Sequence, residues 1–389
     1  MTERKLRLRH IAPFYLPSTA AHGSQVFRMC HAFSREGCEV TLVAKRDPDG
    51  TEQFPDPFDR YGVPASFHFE RFDVPRNRFT VRSAWFALRA VMLAPRPDAV
   101  FTRCLKSAIV AALRGIPSLF ELHSGLRSSG SGGERMLRLG ARLPAFRGVV
   151  VTNQALADDV LALVPTMAGK VHLERNAVFL ETLADAPHEI SADTALTVGY
   201  VGSLHEGKGA EILVPLARRL PDVRVRVVGG NEQDIAHWRG VAGDLPNLEF
   251  LGHQPQSRIP ALVEQCDIML APYQSRVFVA GTKIGANAHV EGDADMAKWM
   301  SPLKIFEYLA TGRPIIATRM PAIEEFLTDG ENALLVDPDD LEAWATAVQR
   351  LAAEPALARK LAANGLRDAR EKHTLEGRAQ RIVRLLGLA

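Results

Sequence analysis

Short apolar runs alternate with amphipathic segments along the first half of the chain. Residues 25–44 read as an amphipathic helix, an interruption at Gly37 and a short apolar strand. Three more apolar runs of strand length follow at 98–103, 117–123 and 148–153, and an alanine-rich helical segment lies between the first two. Strands that alternate with helices in this way are typical of a parallel, doubly wound sheet.

The second half repeats this alternation. Helices are predicted at 209–220 and 303–311 and over most of 341–389. The predicted strands are the apolar runs at 194–202, 223–230, 247–253, 267–273, 314–318 and 332–337. The pattern lapses between residues 163 and 193, so a link between two domains is placed near 180–192. Two polar segments rich in small residues, at 127–134 and 280–295, are predicted to be mobile loops.

Length and composition fit this organisation. A chain of 389 residues suits about two domains, and a hydrophobic content of 47% is ordinary for a soluble α/β protein. The charged N-terminus is not followed by the apolar stretch of a signal peptide, and no apolar run reaches the roughly 18 residues of a membrane helix. Four scattered cysteines without a CxxC pair suggest free thiols in a reducing compartment. We therefore expect a cytoplasmic protein.

The net charge of +2 is unevenly spread along the chain. Residues 1–180 carry 25 Lys and Arg against 16 Asp and Glu, whereas the remaining residues carry 22 against 29. A basic N-terminal half attracts anions such as lipid headgroups, nucleic acid or phosphorylated small molecules. An arginine-rich surface without a ligand explains the same excess equally well.

The segment 202-GSLHEGKG-209 is close to the P-loop of nucleoside triphosphatases. A P-loop needs a Ser or Thr after its lysine to bind Mg²⁺, and Gly209 stands there instead, so triphosphate hydrolysis is not favoured. A glycine-bearing turn, Lys208 and a helix N-terminus remain, and together they can bind a phosphate or diphosphate. An ordinary turn with a solvated lysine is the alternative.

A second motif, 302-PLKIFEYLATGRPIIA-317, starts a predicted helix near the carboxyl edge of the sheet. Its N-terminus would attract a second anion. Lys304 and Glu307 are three residues apart and share one helix face, where a carboxylate can accept hydrogen bonds from a ribose diol. A simple salt bridge between the two side chains would explain the pair equally well.

At these two motifs the chain resembles the retaining glycosyltransferases of family 4, also called group 1. The pattern Gly-x-Leu-x-x-x-Lys-Gly matches residues 202–209, and the pattern that begins Pro-x-Lys-x-x-Glu matches residues 302–317. Residues 325–336 resemble a third family motif, with Ala333 in place of a glycine. The resemblance covers most of residues 195–375 and is looser in the first half.

This resemblance implies the GT-B fold, an α/β architecture of two Rossmann-like doubly wound domains facing a cleft, with C-terminal helices. Residues 1–185 would form the N-terminal acceptor domain and residues 186–370 the nucleotide-sugar donor domain. Residues 371–389 would form a C-terminal helix that packs back on the N-terminal domain.

The resemblance also implies a set of donor-binding residues. Lys208 would bind the diphosphate and Glu307 the ribose. The full donor-binding set comprises Gly23, Ser203, Lys208, Leu303, Lys304, Ile305 and Glu307. The sequence departs from the family at Ser203, where an Arg or Lys is usual, and at Trp299, which stands where the family has a first glutamate. These departures leave the contact to the donor sugar unassigned.

In the first half, His123 matches the family histidine beside the donor sugar, and with Lys208 and Glu307 it makes up the predicted catalytic set. Glu121 would share a strand face with His123. Arg103 and Glu121 are candidates for contacts to the acceptor or to phosphate. Gly23 lies where the family has a glycine loop, although His22 replaces one of the two usual glycines.

The predicted activity is the transfer of a sugar from a nucleoside-diphosphate sugar to a hydroxyl acceptor with retention of configuration. In same-face attack a leaving phosphate oxygen takes the acceptor's proton, and cations and helix N-termini stabilise the charge, so neither a metal nor another cofactor is expected. Asp293 and Asp295 resemble a metal-binding pair but are interpreted as a solvated turn. A sugar-nucleotide epimerase on the same fold and a catalytically degenerate sugar-nucleotide-binding relative are the alternatives.

The acceptor would be a saccharide or a lipid-linked molecule, and nucleic acid is not an expected partner. Residues 76–96 combine five arginines with Phe79, Trp85, Phe86 and Leu88. This composition suits a helix that lies on anionic lipid, and it equally suits a helix packed on the N-terminal sheet. The expectation is a cytoplasmic protein with peripheral association at the inner face of the cell membrane.

Overall fold

A computed structural model describes residues 5–18, 21–46, 56–74, 79–129, 132–191, 193–277 and 297–387. The chain divides into two compact units. Unit 1 comprises Met1–Arg175 together with Leu375–Ala389, and unit 2 comprises Asn176–Thr374.

The first boundary between the units lies between Arg175 and Asn176, ten residues before the boundary at residue 185 that the family resemblance implied. The segment between the two positions is hydrogen-bonded to the body of unit 2. The Asn176 side-chain amide donates to the Ser301 carbonyl at 2.6 Å, and the backbone N–H of Ala184 donates to the Ala310 carbonyl at 2.8 Å. These residues therefore belong to unit 2.

Unit 1 is built on a seven-stranded parallel sheet with strand order β3-β2-β1-β4-β5-β6-β7. Its strands are β1 (Arg7–Tyr15), β2 (Glu39–Lys45), β3 (His68–Phe72), β4 (Ala99–Thr102), β5 (Ser118–Leu122), β6 (Phe146–Val151) and β7 (Val171–Leu173). Its first six helices are α1 (Ala21–Arg35), α2 (Pro57–Tyr61), α3 (Phe79–Met92), α4 (Leu105–Leu113), α5 (Gly132–Arg142) and α6 (Gln154–Leu163).

A buried arginine fixes α3 against this sheet. Arg9, in the central strand β1, is only 2% exposed, and its guanidinium donates to the carbonyls of Ala90, Val91, Leu93 and Pro95. These carbonyls lie at the C-terminal end of the helix, where a cation also interacts favourably with the helix dipole. The guanidinium is thus solvated by backbone in place of water.

Unit 2 is built on a six-stranded parallel sheet with strand order β10-β9-β8-β11-β12-β13. Its strands are β8 (Thr197–Val201), β9 (Arg224–Val228), β10 (Leu248–Gly252), β11 (Ile268–Ala271), β12 (Ile315–Thr318) and β13 (Leu334–Val336). Its helices are α7 (Ala210–Arg219), α8 (Glu232–Ala242), α9 (Ile259–Val263), α10 (Leu303–Ala310), α11 (Pro321–Glu324), α12 (Leu341–Ala353) and α13 (Pro355–Lys372).

The last helix, α14 (Leu375–Leu385), returns to unit 1 and packs against α1. Its inner face buries Leu375, Arg378, Ala379 and Ile382, which recur at the spacing of one helix face. The helix therefore completes the core of unit 1 although it is far from that core in sequence.

Both sheets are parallel with helices between their strands, which confirms the predicted doubly wound class. The direction of strand addition reverses between β1 and β4 in unit 1, and between β8 and β11 in unit 2. Ligands of doubly wound sheets bind at the carboxyl ends of the strands beside such a reversal. These two edges are therefore where functional side chains are expected to lie.

Two predicted loops compare differently with the structure. The prediction of a loop at 127–134 is wrong, because a 3₁₀ turn spans Leu126–Ser129 and α5 starts at Gly132. An ion pair between Arg127 and Glu134 at 3.1 Å spans the two elements. The loop expected at 280–295, with Asp293 and Asp295, lies outside the described residues.

Within the part of the chain that the structure describes, no helix combines the length and the apolar character needed to cross a bilayer.

Candidate functional site

In unit 2, the turn between β8 and α7 lies against the segment that follows β11. Gly207 and Gly209 have φ angles of 81° and 119°, which disfavour residues with a side chain. A Cβ atom at Gly207 would lie 2.1 Å from the Arg276 carbonyl oxygen, and one at Gly209 would lie 2.4 Å from Pro272. The glycines of the P-loop-like motif therefore allow this turn to pack at the β8/β11 edge.

Two amides of this turn already have an anionic partner. The Glu211 carboxylate accepts hydrogen bonds from the backbone N–H of Gly207 at 2.8 Å and from that of Gly209 at 3.1 Å. The sequence suggested these amides as phosphate donors. In the structure these amides fix the turn, so Lys208 is the group of this turn that remains to attract an anion.

Lys208 and Lys304 share an aromatic enclosure at this edge. The Nζ atom of Lys304 lies 3.9 Å from the ring centroid of Tyr200 and 4.8 Å from that of Tyr273, and Lys208 Nζ lies 5.4 Å from the Tyr273 centroid. The electron-rich faces of tyrosine rings stabilise ammonium groups. Neither tyrosine was predicted from the sequence, although each belongs to an apolar run that ends at the β8/β11 edge.

The Lys304 ammonium is buried and makes no hydrogen bond to any described residue. The salt bridge with Glu307 that sequence spacing allowed is therefore not formed. Burial, and then the charge of Lys208, hold the pKa of Lys304 well below its usual value, while Glu307 acts in the opposite direction. Burial also lowers the pKa of Lys208. A bound anion would offset the energetic cost of burying these two amines in their charged form and would reduce the repulsion between them.

Two tyrosine hydroxyls hold the surrounding backbone in place. The Tyr200 hydroxyl lies 2.6 Å from the Ser203 carbonyl oxygen and 3.0 Å from that of Lys208, so it fixes the turn that carries both residues. The Tyr308 hydroxyl accepts from the backbone N–H of Val201 at 2.8 Å, which ties α10 to the end of β8. The enclosure is thus held by hydrogen bonds among β8, the turn that follows it and α10.

Helix α10 presents its first turn and Glu307 to the same edge. Pro302 is its N-cap residue, Leu303 and Lys304 are half-buried, and Glu307 is half-buried one turn further along. Ile305 is fully buried in the apolar core, so its side chain serves packing. Of the predicted donor-binding residues, the structure therefore brings Ser203, Lys208, Leu303, Lys304 and Glu307 to one edge of unit 2.

In unit 1, three predicted residues meet at the carboxyl ends of β4 and β5. Glu121 is 4% exposed within β5. His123 Nε2 lies 3.0 Å from one Glu121 carboxylate oxygen, at an angle too bent for a good hydrogen bond, and Arg103 Nε lies 3.8 Å from the same oxygen. The other carboxylate oxygen accepts from Arg378 of α14 at 2.5 Å. Arg378 has no local sequence signal, because its partner is far away in the chain.

This cluster keeps its carboxylate charged and its imidazoles neutral. Burial acts to raise the pKa of Glu121, but His123, Arg378 and Arg103 together hold that pKa well below its usual value. Burial, and then Arg103, lower the pKa of His123 to about 4. Burial lowers the pKa of the neighbouring His10 to about 3. An ionised, doubly paired Glu121 is poorly suited to nucleophilic attack.

Folding stability is expected to depend on pH through these two histidines. Each is neutral when folded, whereas in the unfolded chain it takes up a proton below a pH of about 6.5. Their lowered pKa values therefore contribute stability at neutral pH that is lost as the pH falls from about 6.5 to about 4, with a slope of about 1.4 kcal/mol per pH unit for each histidine.

Urea denaturation across this pH range measures the effect. The replacement His10→Gln is expected to reduce the slope of the free energy of unfolding against pH by about 1.4 kcal/mol per pH unit, because one fewer proton is taken up on unfolding. A free energy of unfolding that stays constant between pH 7 and pH 4.5 would contradict the described environment of both rings.

Gly23 lies in the first helical turn of α1 and not in a loop. A Cβ atom there would lie 2.3 Å from the Tyr61 hydroxyl oxygen. That hydroxyl accepts from the backbone N–H of Ser18 at 2.7 Å and donates to the Ser18 carbonyl at 3.0 Å. Packing against Tyr61 thus gives a structural reason for this glycine, and its role toward a donor phosphate stays a prediction.

Comparisons with known proteins bear on both units. The family model of the glycosyl transferases group 1 matches residues 195–354, and that of the glycosyl transferase 4-like domain matches residues 21–177. The chain is 29% identical over 192 residues to a lipopolysaccharide core biosynthesis glycosyltransferase, LpsE, of Rhizobium meliloti, an alignment that covers 48% of the chain and 45% of the relative.

A second relative is the GDP-mannose-dependent alpha-(1-6)-phosphatidylinositol monomannoside mannosyltransferase of Mycolicibacterium smegmatis, 29% identical over 188 residues, with 46% of the chain and 44% of the relative covered. The chain thus spans about half the length of the curated relatives it matches. Among solved structures, the Anabaena protein Alr3699/HepE in complex with UDP has a TM-score of 0.70 at 16% identity, with 99% of the chain and 100% of that protein covered. The shared architecture is the GT-B fold.

Proposed function

Because the chain belongs to the group 1 glycosyltransferases, we propose that it transfers a sugar from a nucleoside-diphosphate sugar to a hydroxyl group. The observation that carries the proposal is the pair of lysines at the β8/β11 edge, one of them a buried ammonium without a hydrogen-bond partner among the described residues. A diphosphate supplies the charge that such a pair lacks. The Anabaena protein was solved with UDP, which makes UDP-sugars the first donors to test.

We assign the diphosphate to Lys208, Lys304 and the N-terminus of α10, and the ribose diol to Glu307. Lys304 lies beside the turn in which the sequence departs from the family. Its Nζ atom would lie 2.7 Å from a Cβ atom at Gly202, so this amine is next to Ser203, where the family usually has an Arg or Lys.

The proposed chemistry retains the anomeric configuration by same-face attack. The acceptor oxygen bonds to the anomeric carbon, the bond from that carbon to the diphosphate breaks, and the departing phosphate oxygen takes the acceptor's proton. Lys208 and Lys304 stabilise the negative charge that develops on the diphosphate, so the proposal requires no metal. His123, as a neutral imidazole, is proposed to hydrogen-bond a hydroxyl of a substrate.

A nucleotide-release assay tests this function. The protein is incubated with UDP-, GDP- and ADP-sugars, with and without saccharide and lipid-linked acceptors, and released nucleotide is measured. Release that depends on an acceptor supports transfer. A new sugar nucleotide formed without acceptor indicates an epimerase, and tight binding without turnover indicates a degenerate relative, an outcome that Trp299 and Ser203 would explain.

We further propose that the acceptor is presented at an anionic membrane surface. Val81, Leu88 and Met92 of α3 are each about half exposed and lie on one helix face with Trp85. Arg89 is exposed beside them, 5.4 Å from the Trp85 ring. Arg76 and Arg78 lie outside the described residues. An apolar stripe with an exposed arginine beside it suits the interface of an anionic bilayer, and the mycobacterial relative is named for a phosphatidylinositol-linked acceptor.

Vesicle co-sedimentation measures this association. Binding to phosphatidylglycerol vesicles, and not to phosphatidylcholine vesicles, is expected, and it should weaken as salt increases. The replacement Leu88→Glu should reduce binding by roughly tenfold or more, because it removes an exposed apolar side chain whose burial in the bilayer interface would contribute about 1.5–3 kcal/mol. Val241→Glu, at an exposed apolar position of unit 2, is the matched control. Equal loss in both variants would contradict the assignment to α3.

A further inference from the structure

The carboxylate beside His123 is bound by an arginine that comes from the far end of the chain. Arg378 of α14 is 1% exposed, and 257 residues separate it from Glu121 in sequence. Besides the carboxylate, its guanidinium lies 3.4 Å from the Glu174 carbonyl oxygen and 3.1 Å from the Met29 sulfur. Its placement therefore depends on α14 being docked on unit 1.

The carboxylate decides which ring nitrogen of His123 carries the proton. Nε2 lies 3.0 Å from one carboxylate oxygen, and although the contact is too bent for a good hydrogen bond, the negative charge repels a lone pair on Nε2 and attracts a hydrogen there, so it favours the tautomer with hydrogen on Nε2. Nδ1 then holds the lone pair of the neutral ring. In that form the imidazole can accept a hydrogen bond from a hydroxyl through Nδ1.

The charges around the His123 ring favour its neutral form. Two guanidinium groups, of Arg103 and Arg378, surround the single carboxylate of Glu121. His10 and His22 also interact with this cluster, and burial together with the charge of Arg103 holds the pKa of each of them low. The excess of cations disfavours a second positive charge on His123.

We propose that Arg378 and Glu121 are positioning residues, which together fix the tautomer and orientation of His123 so that Nδ1 is presented to a hydroxyl. Arg378 donates a hydrogen bond to the carboxylate, and the charge of the carboxylate acts on the imidazole 3.0 Å away. The C-terminal helix thereby becomes part of the machinery of unit 1 and not only part of its core. That the hydroxyl belongs to a substrate rests on the proposed function, whereas the tautomer does not.

Nuclear magnetic resonance of protein labelled with ¹⁵N-histidine tests this directly, without ligand. Long-range ¹H–¹⁵N spectra distinguish the two neutral tautomers, and the His123 signal is identified by its loss in His123→Gln. The wild-type ring is expected as the Nε2–H tautomer. In Glu121→Gln a mixture of tautomers is expected, because an amide can both donate and accept.

Arg378→Gln should raise the pH at which His123 becomes charged, because it removes a cation that disfavours the imidazolium and leaves the carboxylate free to stabilise it. Arg378→Lys should restore most of the wild-type behaviour. Arg381→Gln is the matched control, since Arg381 lies one turn further along α14 and pairs with Glu174. If Arg378→Gln does not fold, Arg378→Lys and Glu121→Gln still answer the question.

An Nδ1–H tautomer in the wild type would overturn the proposal, and so would equal titration shifts in Arg378→Gln and Arg381→Gln. The expected spectra in a protein without transferase activity would refute the proposed function and leave the positioning intact. The pKa of His123 should fall in Glu121→Gln and rise in Arg378→Gln. Such opposite shifts are not expected if the two residues have a merely structural role.

Discussion

Replacement of Lys304 or Lys208 by methionine is expected to weaken the binding of UDP by roughly ten- to a hundredfold, since a hydrogen bond to a charged group contributes about 1.5–3 kcal/mol. Methionine keeps most of the apolar stem and removes the ammonium, so packing on Tyr200 and Tyr273 changes little. Isothermal titration calorimetry measures the dissociation constants. A similar loss is expected for Glu307→Ala, through the ribose.

Lys360→Met is the matched control for this series, because Lys360 is an exposed lysine of α13 that donates to the Gly330 carbonyl. Its affinity for UDP should equal that of the wild type. The free energy of unfolding of Lys304→Met should rise or stay constant, because the variant no longer buries an unpaired amine. Unchanged affinity in both lysine variants would contradict the assignment of the diphosphate to this edge.

Replacement of Arg378 by methionine is expected to lower the free energy of unfolding by about 3–5 kcal/mol, because it leaves the buried carboxylate of Glu121 without its nearest partner. The double replacement Glu121→Gln with Arg378→Met should recover part of the loss, since the remaining amide carries no charge. Urea denaturation of the four proteins measures the coupling.

Arg384→Met controls for the loss of an arginine from the same helix. Arg384 is exposed in the last turn of α14, and surface changes of this kind usually lie within about 0.5 kcal/mol. Strictly additive effects of Glu121→Gln and Arg378→Met would show that the two side chains are not energetically coupled.

The central strands were predictable because a strand buried on both faces of a parallel sheet reads as a continuous apolar run. This signal located β4, β5 and β6 and all six strands of unit 2. It failed for β3 (HFERF) and β7 (VHL), which form the two edges of the unit 1 sheet. An edge strand is paired on one side only; polar residues are interspersed with the two phenylalanines of β3, and β7 is only three residues long.

The candidate site was predictable only where its residues are close in sequence. Lys208 follows one strand by a few residues, and Lys304 and Glu307 share one helix turn, so local motifs reveal them. Tyr273 and Arg378 reach their partners through the fold, and no local pattern marks such long-range pairs. The occupation of two turn amides by Glu211 was equally invisible, since a carboxylate two residues into a helix has no required partner.

The most direct test of the account is a crystal structure of the protein with a bound UDP-sugar. The diphosphate is predicted within hydrogen-bond distance of the Nζ atoms of Lys208 and Lys304, at the N-terminus of α10, with the ribose hydroxyls on the Glu307 carboxylate. A nucleotide bound at any other edge of unit 2, or a diphosphate that touches neither lysine, would contradict it.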